Sequence, residues 1–152
     1  MDEKIQFSIR KMAIDDVKEV LSIENESIIS PWNEKQIQYE LLNNPVSRIR
    51  VAVDDKMAVI GFIDYWITYD SATIAQIAIK IEQRRKGVAK ALLENMIEDC
   101  KDHRVKAITL EVRCNNEPAI KLYEAYGFKR VVIKKSYYHD GTDAIYMVRE
   151  VY

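Results

Sequence analysis

Two side chains in the last third of the chain have the chemistry of a proton acceptor and a proton donor. Glu111 ends an apolar run that is typical of a buried strand, and a carboxylate at a strand end can face a binding site. Tyr123 lies twelve residues later, on the apolar face of a short predicted helix, where its hydroxyl needs a partner. Each has a structural alternative: Glu111 could pair with Arg113 or a lysine, and Tyr123 could be a core aromatic residue.

A basic segment in front of a predicted helix has the composition of an anion-binding loop. Arg84, Arg85 and Lys86 precede Gly87, and the helix begins at Val88. Free N–H groups and the positive end of the helix dipole favour a phosphate there, and glycine permits close approach. The alternative is a basic loop without a ligand. The segment lacks the GxxxxGK(S/T) and GxGxxG patterns, which argues against nucleotide hydrolysis and dinucleotide redox chemistry.

Length and composition indicate one soluble domain, residues 1–152, that can fold around a core without disulfides or metals. The 23 Lys and Arg nearly balance the 24 Asp and Glu, so nucleic-acid binding through bulk positive charge is not expected. Two cysteines without CxxC and two histidines predict no metal site and a reducing, cytoplasmic location. No apolar run is long enough to span or enter a membrane.

Hydrophobic periodicity predicts seven strands and four helices. The predicted strands are 5–12, 48–53, 59–69, 71–81, 105–112, 128–138 and 143–151, and the predicted helices are 13–24, 34–42, 88–101 and 116–125. The order combines an antiparallel meander with crossover connections, which predicts a mixed α/β sheet with helices on both faces.

The helix patterns also predict which side chains are buried. In the second helix the predicted buried positions are Ile37, Tyr39 and Leu41. The acidic residues of the first two helices are expected on solvated faces, with attraction of a basic peptide as the alternative. These residues are Glu24, Glu26 and Glu40.

Several motifs resemble one known enzyme family. Arg84-x-x-Gly87-x-Ala89 resembles the Q/R-x-x-G-x-G/A pyrophosphate loop of the GNAT acetyltransferases, although many members have a second glycine where Ala89 stands. The predicted element order is similar to theirs along the whole chain. Four further motifs resemble the ribosomal-protein-alanine N-acetyltransferase (RimI) family within that superfamily. They are Pro31-Trp32-Asn33-Glu34-Lys35, Leu110-Glu111-Val112-Arg113, Asn116 to Leu122-Tyr123-Glu124 with Gly127-Phe128, and Tyr137-Tyr138 with Asp143-Ala144-Ile145.

The resemblance implies a seven-stranded, mostly antiparallel sheet with a central parallel pair, and acetyl-coenzyme A in a gap between those two strands. Glu111 would be the general base and Tyr123 the general acid. Trp32 and Tyr138 would flank the acceptor groove, although either could be a packing aromatic residue. The implied cofactor contacts are Ile77, Ala78 and Ile79 with the pantetheine arm, Arg84, Arg85, Lys86, Gly87, Val88, Ala89 and Lys90 with the pyrophosphate, and Asn116.

The chemistry fits a terminal amine as acceptor. An α-amino group with a pKa of about 8 is about one-tenth neutral at pH 7, whereas a lysine is about 3.3 kcal/mol harder to deprotonate. The resemblance implies transfer of acetyl to the N-terminal alanine of a small-subunit ribosomal protein by a monomer or weak dimer. The alternatives are a lysine or small-amine acceptor, and a non-catalytic module that binds acyl-coenzyme A.

Overall fold

The computed structural model describes residues 6–152, so Ile5, the first residue of the first predicted strand, lies outside the described part of the chain. The strands are β1 (Phe7–Lys11), β2 (Ser47–Asp54), β3 (Val59–Thr68), β4 (Ser71–Ile79), β5 (Ala107–Arg113), β6 (Lys129–Lys134) and β7 (Ala144–Glu150). The α-helices are α1 (Val17–Ser27), α2 (Glu34–Leu42), α3 (Val88–Asp102) and α4 (Glu117–Ala125). Short 3-10 helices, Ile14–Asp16 and Ile81–Gln83, precede α1 and α3.

The seven strands form one sheet in the order β1-β2-β3-β4-β5-β7-β6. Neighbouring strands are antiparallel except for β4 and β5, which are parallel because α3 carries the chain back between them. The predicted mixed sheet with a central parallel pair is therefore confirmed. None of the helices in residues 6–152 has the length and apolar character that crossing a membrane requires.

Helices cover both faces of the sheet, as predicted. Val20 of α1 and Ile37 of α2 pack with Phe62 of β3 in a buried cluster on one face. Leu92 of α3 and Ile120 of α4 belong to a larger buried cluster on the other face. Because successive strand side chains point to opposite faces, each strand residue can be assigned to one of these two sides.

Two strands end earlier than predicted because the backbone turns. β6 stops at Lys134 instead of continuing to Tyr138. Ser136 has a left-handed φ of 48°, and its N–H donates to Asp143 Oδ1 at 2.8 Å, which fixes a turn there. β4 stops at Ile79, where the chain enters a 3-10 helix. The loop between β6 and β7 is consequently longer than predicted and spans residues 135–143.

α2 buries a carboxylate in place of the predicted tyrosine. Ile37 and Glu40 are buried, whereas Tyr39 is 54% exposed. Residues three apart share a helix face, and a residue two positions from Ile37 points elsewhere. Glu40 is tolerated inside because its Oε1 accepts the Trp66 Nε1–H and its Oε2 accepts Asn44 Nδ2, both at 2.7 Å. The predictions of a buried Tyr39 and a solvated Glu40 are both wrong.

α1 also buries a carboxylate. Glu24 is fully buried, and its Oε1 accepts the backbone N–H of Trp32 at 2.8 Å. Burial raises the pKa of Glu24 because the charged form loses its hydration. The prediction that Glu24 is solvated is therefore wrong, while Glu26 is exposed as predicted.

Asp64 of β3 lies beside Glu40 and carries the largest electrostatic cost of this group. It is 1% exposed, and its Oδ1 accepts the Ser47 hydroxyl at 2.7 Å. Burial, with the adjacent Glu40 as a second cause, raises the pKa of Asp64 to about 9. Burial opposes the charge of Glu40 as well, but its hydrogen-bonding neighbours Asp64, Asn44 and Trp66 outweigh burial and lower its pKa. The folded protein thus holds Asp64 as the neutral acid at pH 7.

Asp64→Asn is expected to stabilise the protein increasingly as pH rises. Between the ordinary carboxyl pKa of 3.8 and about 9, folded Asp64 holds a proton that the unfolded chain releases, so its contribution to stability falls with rising pH. Asparagine imitates the neutral acid and keeps an oxygen for Ser47. In urea unfolding, we expect the free energy of unfolding of the variant to exceed that of wild type by at least about 1.4 kcal/mol at pH 8, and by less at pH 5. Asp55→Asn, at an exposed turn, is the matched control; an equal difference at both pH values would contradict the assignment.

Candidate functional site

β4 and β5 are paired over only a short part of their length. Their register runs from Ser71 opposite Ala107 to Thr73 opposite Thr109. The two threonine hydroxyls at the last pair lie 2.9 Å apart and hydrogen-bond across the strands. Beyond this pair the strands part, and a gap opens in the middle of the sheet.

A bulge in β4 lies directly beside the point of separation. Asp64 of β3 is opposite Gln76, but Tyr65 is opposite Ile74, so Ala75 is an extra residue in β4. A bulge bends the strand that carries it and increases its twist. The bend begins two residues after Thr73, which explains why β4 keeps its pairing with β3 while it leaves β5.

Backbone groups of β4 face this gap. Lys80 N–H donates to Ile60 O at 2.9 Å, and antiparallel partners alternate between bonded and non-bonded pairs. Ala78 therefore directs its N–H and C=O toward β3, whereas Ile77 and Ile79 direct theirs into the gap. The Ile79 carbonyl already accepts the Nε–H of Arg84 at 3.0 Å.

The start of α3 presents a row of free amides. Six consecutive backbone N–H groups, from Arg85 to Lys90, have no acceptor within residues 6–152, and the first helical bond runs from Ala91 N–H to Gly87 O. Arg85 and Gly87 both have left-handed φ values, 62° and 85°, which turn the loop before the helix. The segment has the free amides and the helix dipole that an anion requires.

The same loop is tied to the end of α1. Arg84 Nη2 donates to the Ser27 hydroxyl at 3.1 Å, in addition to its bond to Ile79. The Ile81 N–H donates to Glu26 Oε1 at 2.9 Å. Arg84 is exposed, and its two hydrogen bonds anchor the loop to its neighbours.

Glu111 of β5 lies on the α1/α2 side of the sheet, opposite to the buried side chains of Leu110 and Val112. Its Oε1 accepts Lys134 Nζ at 2.7 Å, so the structure contains the carboxylate–lysine pair that the sequence left as an alternative. The Glu111 side chain remains 23% exposed. The pairing does not remove Glu111 from the gap.

Tyr123 of α4 lies on the other side of the sheet from Glu111. It is 5% exposed, packs edge-on against Phe128 with ring centroids 5.6 Å apart, and belongs to the α3/α4 core. Its hydroxyl makes no hydrogen bond to any group in residues 6–152. Burial, with a smaller effect of Tyr138, raises the pKa of Tyr123 above its ordinary value, so the hydroxyl keeps its proton.

Tyr138 stands in the β6–β7 loop between these two groups. Its ring lies under the Arg113 guanidinium, with 4.0 Å from the guanidinium carbon to the ring centroid. Asp140 binds the same Arg113 nitrogen through both carboxylate oxygens, at 2.9 and 3.0 Å. Burial raises the pKa of Tyr138, and Glu111 acts on it in the same direction. Arg113 thus positions Tyr138 and is not the partner of Glu111.

Asn116 and Trp32, which the sequence also singled out, have structural contacts of their own. Asn116 caps α4, where its side-chain oxygen accepts the Ala119 N–H at 3.3 Å. Trp32 is half-buried against the α1/α2 core, and Glu24 fixes its backbone. Glu111 and Tyr123 lie on opposite sides of the sheet, Glu111 on the α1/α2 side and Tyr123 in the α3/α4 core. Residues 6–152 contain no group of three or more His, Cys, Asp or Glu side chains arranged to hold a metal ion.

Sequence reasoning missed the specific partner of Glu111. Lys134 is 23 residues away in the chain, and only the strand registers bring it near. Glu111 is opposite Tyr146 on β7, and Tyr146 is opposite Val132 on β6, so Lys134 lies two residues along on the same face. The alternation of side chains between the two faces of β6 and β7 could have indicated that these residues share a face. Which residues lie opposite each other, however, depends on the bulge between Arg130 and Val132.

The model of the acetyltransferase (GNAT) family matches residues 16–128, which is well over half of the chain. The chain belongs to the GNAT acetyltransferase family. It is 37% identical over 145 residues to the protein named "putative ribosomal protein bS18-alanine N-acetyltransferase" of Bacillus subtilis, and the match covers 95% of each chain. It is 35% identical to an N-alpha-acetyltransferase of Saccharolobus solfataricus, with 97% of this chain and 95% of the relative covered.

A solved structure of a related enzyme has the same fold as this chain. The ribosomal-protein-S18-alanine N-acetyltransferase from Escherichia coli superposes with a TM-score of 0.88 at 29% identity, over 96% of this chain and 94% of the other. The resemblance to the GNAT fold that the motifs predicted is therefore confirmed along almost the whole chain.

Proposed function

We propose that the protein transfers the acetyl group of acetyl-coenzyme A to the N-terminal α-amino group of a protein. The acceptor that the relatives favour is the N-terminal alanine of a small-subunit ribosomal protein, since two of the matched enzymes bear that substrate in their names. The observation that carries the proposal is the short pairing of β4 and β5, followed by free backbone amides at the start of α3. The Glu111 carboxylate on one side of the sheet and the buried Tyr123 hydroxyl on the other support it.

The gap and the loop before α3 would hold two parts of acetyl-coenzyme A, the pantetheine arm and the pyrophosphate. The amides from Arg85 to Lys90 would hold the pyrophosphate, with the charges of Arg85 and Lys86 in support. The N–H and C=O of Ile77 and the N–H of Ile79 would pair with the amide groups of the pantetheine arm, which would lie along β4 like an added strand. Ala78 would contribute packing alone, because its backbone groups face β3. Arg84 would keep the loop in place.

The thioester would then lie where the strands part, between Glu111 and Tyr123. Glu111 would accept a proton from the acceptor ammonium, directly or through a water, and the neutral amine would attack the thioester carbonyl. Tyr123 would donate its proton to the departing thiolate of coenzyme A, and the second proton, which the acceptor nitrogen loses as the amide forms, would pass through solvent and restore the tyrosine hydroxyl. Its burial supports this role, because a hydroxyl that stays protonated and has no hydrogen-bond partner among residues 6–152 is available as a donor. No covalent enzyme intermediate is needed.

The acceptor assignment can be tested with two peptides that begin with alanine and contain one internal lysine, one with a free N-terminus and one blocked. We expect acetyl-coenzyme A to label the free peptide at its α-amino group and to leave the blocked peptide unlabelled, as located by mass spectrometry. Label on the lysine of the blocked peptide would overturn the assignment in favour of a lysine acetyltransferase.

Glu111→Gln is expected to lower kcat by about 100-fold at pH 7, because glutamine cannot take the proton. The loss should shrink toward pH 9, where more of an α-amino group with a pKa of about 8 is already neutral. Binding of coenzyme A, measured by calorimetry, should be nearly unchanged. Glu117→Gln, at an exposed position in the first turn of α4, is the control. A normal rate for Glu111→Gln would remove it as the base.

Tyr123→Phe is expected to lower kcat by about 10- to 100-fold and to leave the unfolding midpoint close to that of wild type. The hydroxyl has no hydrogen bond within residues 6–152, so its removal breaks none. Tyr126→Phe, three residues along α4, loses a 2.5 Å hydrogen bond to Glu94 and should keep full activity. If Tyr123→Phe turned over like wild type, Tyr123 would be a packing residue only.

A further inference from the structure

Lys134 occupies a small site that is built for an ammonium group. Its Nζ lies 2.7 Å from Glu111 Oε1, 4.9 Å from the ring centroid of Tyr146 and 5.4 Å from that of Tyr137. A carboxylate and two aromatic rings are the groups that attract a cation of this size. The hydrogen bond to Glu111 raises the pKa of Lys134, so the group is an ammonium at neutral pH.

The pairing conflicts with the role of Glu111. A general base has to reach the proton of the acceptor with a carboxylate oxygen, and Lys134 already bonds Oε1 of Glu111. The acceptor of the proposed reaction also arrives as an ammonium, and it must reach the same carboxylate. Two ammonium groups at one carboxylate repel each other, so the approach of the acceptor disfavours the bond between Lys134 and Glu111.

The Lys134 ammonium can leave Glu111 at a small cost in free energy. Lys134 is the last residue of β6, an edge strand, and its side chain is 39% exposed. Glu111 accepts its one hydrogen bond within residues 6–152. The four-carbon stem of lysine allows the ammonium to swing into solvent without movement of the strand.

We propose that Lys134 is an internal competitor that occupies the acceptor's ammonium position against Glu111 and is displaced when the acceptor N-terminus binds. The inference rests on the proposed function. It adds that the ammonium position is formed by Glu111, Tyr137 and Tyr146, and that every acceptor must exchange with Lys134 to enter it. The site thereby selects acceptors that bring a positive charge to this point.

Lys134→Met tests the exchange through binding alone. With coenzyme A bound, so that no transfer can occur, calorimetry measures the affinity of an alanine-led peptide and of its N-acetylated form. We expect the variant to bind the free-amine peptide about three- to tenfold more tightly than wild type, and the acetylated peptide equally. Lys135→Met removes the same charge from a side chain that is 81% exposed and pairs with Asp143, and it should change neither affinity. When Glu111 is also replaced by glutamine, Lys134→Met should no longer increase the affinity for the free-amine peptide.

An unchanged or weaker affinity of Lys134→Met for the free-amine peptide, or an equal gain for both peptides, would overturn the proposal. A second measurement uses wild-type protein labelled with ¹⁵N-lysine. The Lys134 ammonium signal should shift on addition of the free-amine peptide and stay in place with the acetylated one; an unmoved signal in both cases would also overturn it. If wild type acetylates the peptide N-terminus but these results fail, the inference falls and the proposed function stands.

Discussion

The separation of β4 from β5 is the constraint on which the rest of the site depends. Three residue pairs hold the two strands together, and a threonine pair closes the bonded part. The extra residue Ala75 then bends β4 away, while β3 continues to pair with it on the other edge. A parallel sheet bonded along its full length would leave no backbone groups for a ligand in its centre. The gap thus interrupts a hydrogen-bond network that is otherwise continuous across the sheet.

The gap also explains how groups from opposite faces of a sheet can act on one substrate. Glu111 is on the side covered by α1 and α2, and Tyr123 comes from the α4 side. In a closed sheet the strands themselves would separate the two side chains. In the proposed reaction, the open sheet would let a thioester lie in its plane, where each face would supply one of the two proton transfers. The proposed division of labour therefore follows from topology as much as from side-chain chemistry.

Much of this architecture could be predicted from the sequence, since local periodicity specifies most elements. The apolar alternation of β5 and the start of α4 near Asn116 agree with the structure, and so does the central parallel pair that the family resemblance implied. The buried carboxylates Glu24 and Glu40 could not be predicted, because acidic residues on a helix normally face water. Their burial depends on donors from distant segments, such as the Trp66 indole. Lys134 was missed for a similar reason, since a strand register brings it to Glu111.

The bonds between the end of α1 and the loop before α3 couple the two sides of the gap. Ser27 and Glu26 hold Arg84 and Ile81, and the chain continues from Ser27 toward Trp32. A ligand that shifts this loop must therefore also strain or relax the α1 end, and with it the wall on the α1/α2 side. By thermodynamic reciprocity, a ligand at that wall changes the affinity at the loop by the same factor. Cofactor and acceptor would in that case bind cooperatively, through the two hydrogen bonds that join the end of α1 to this loop.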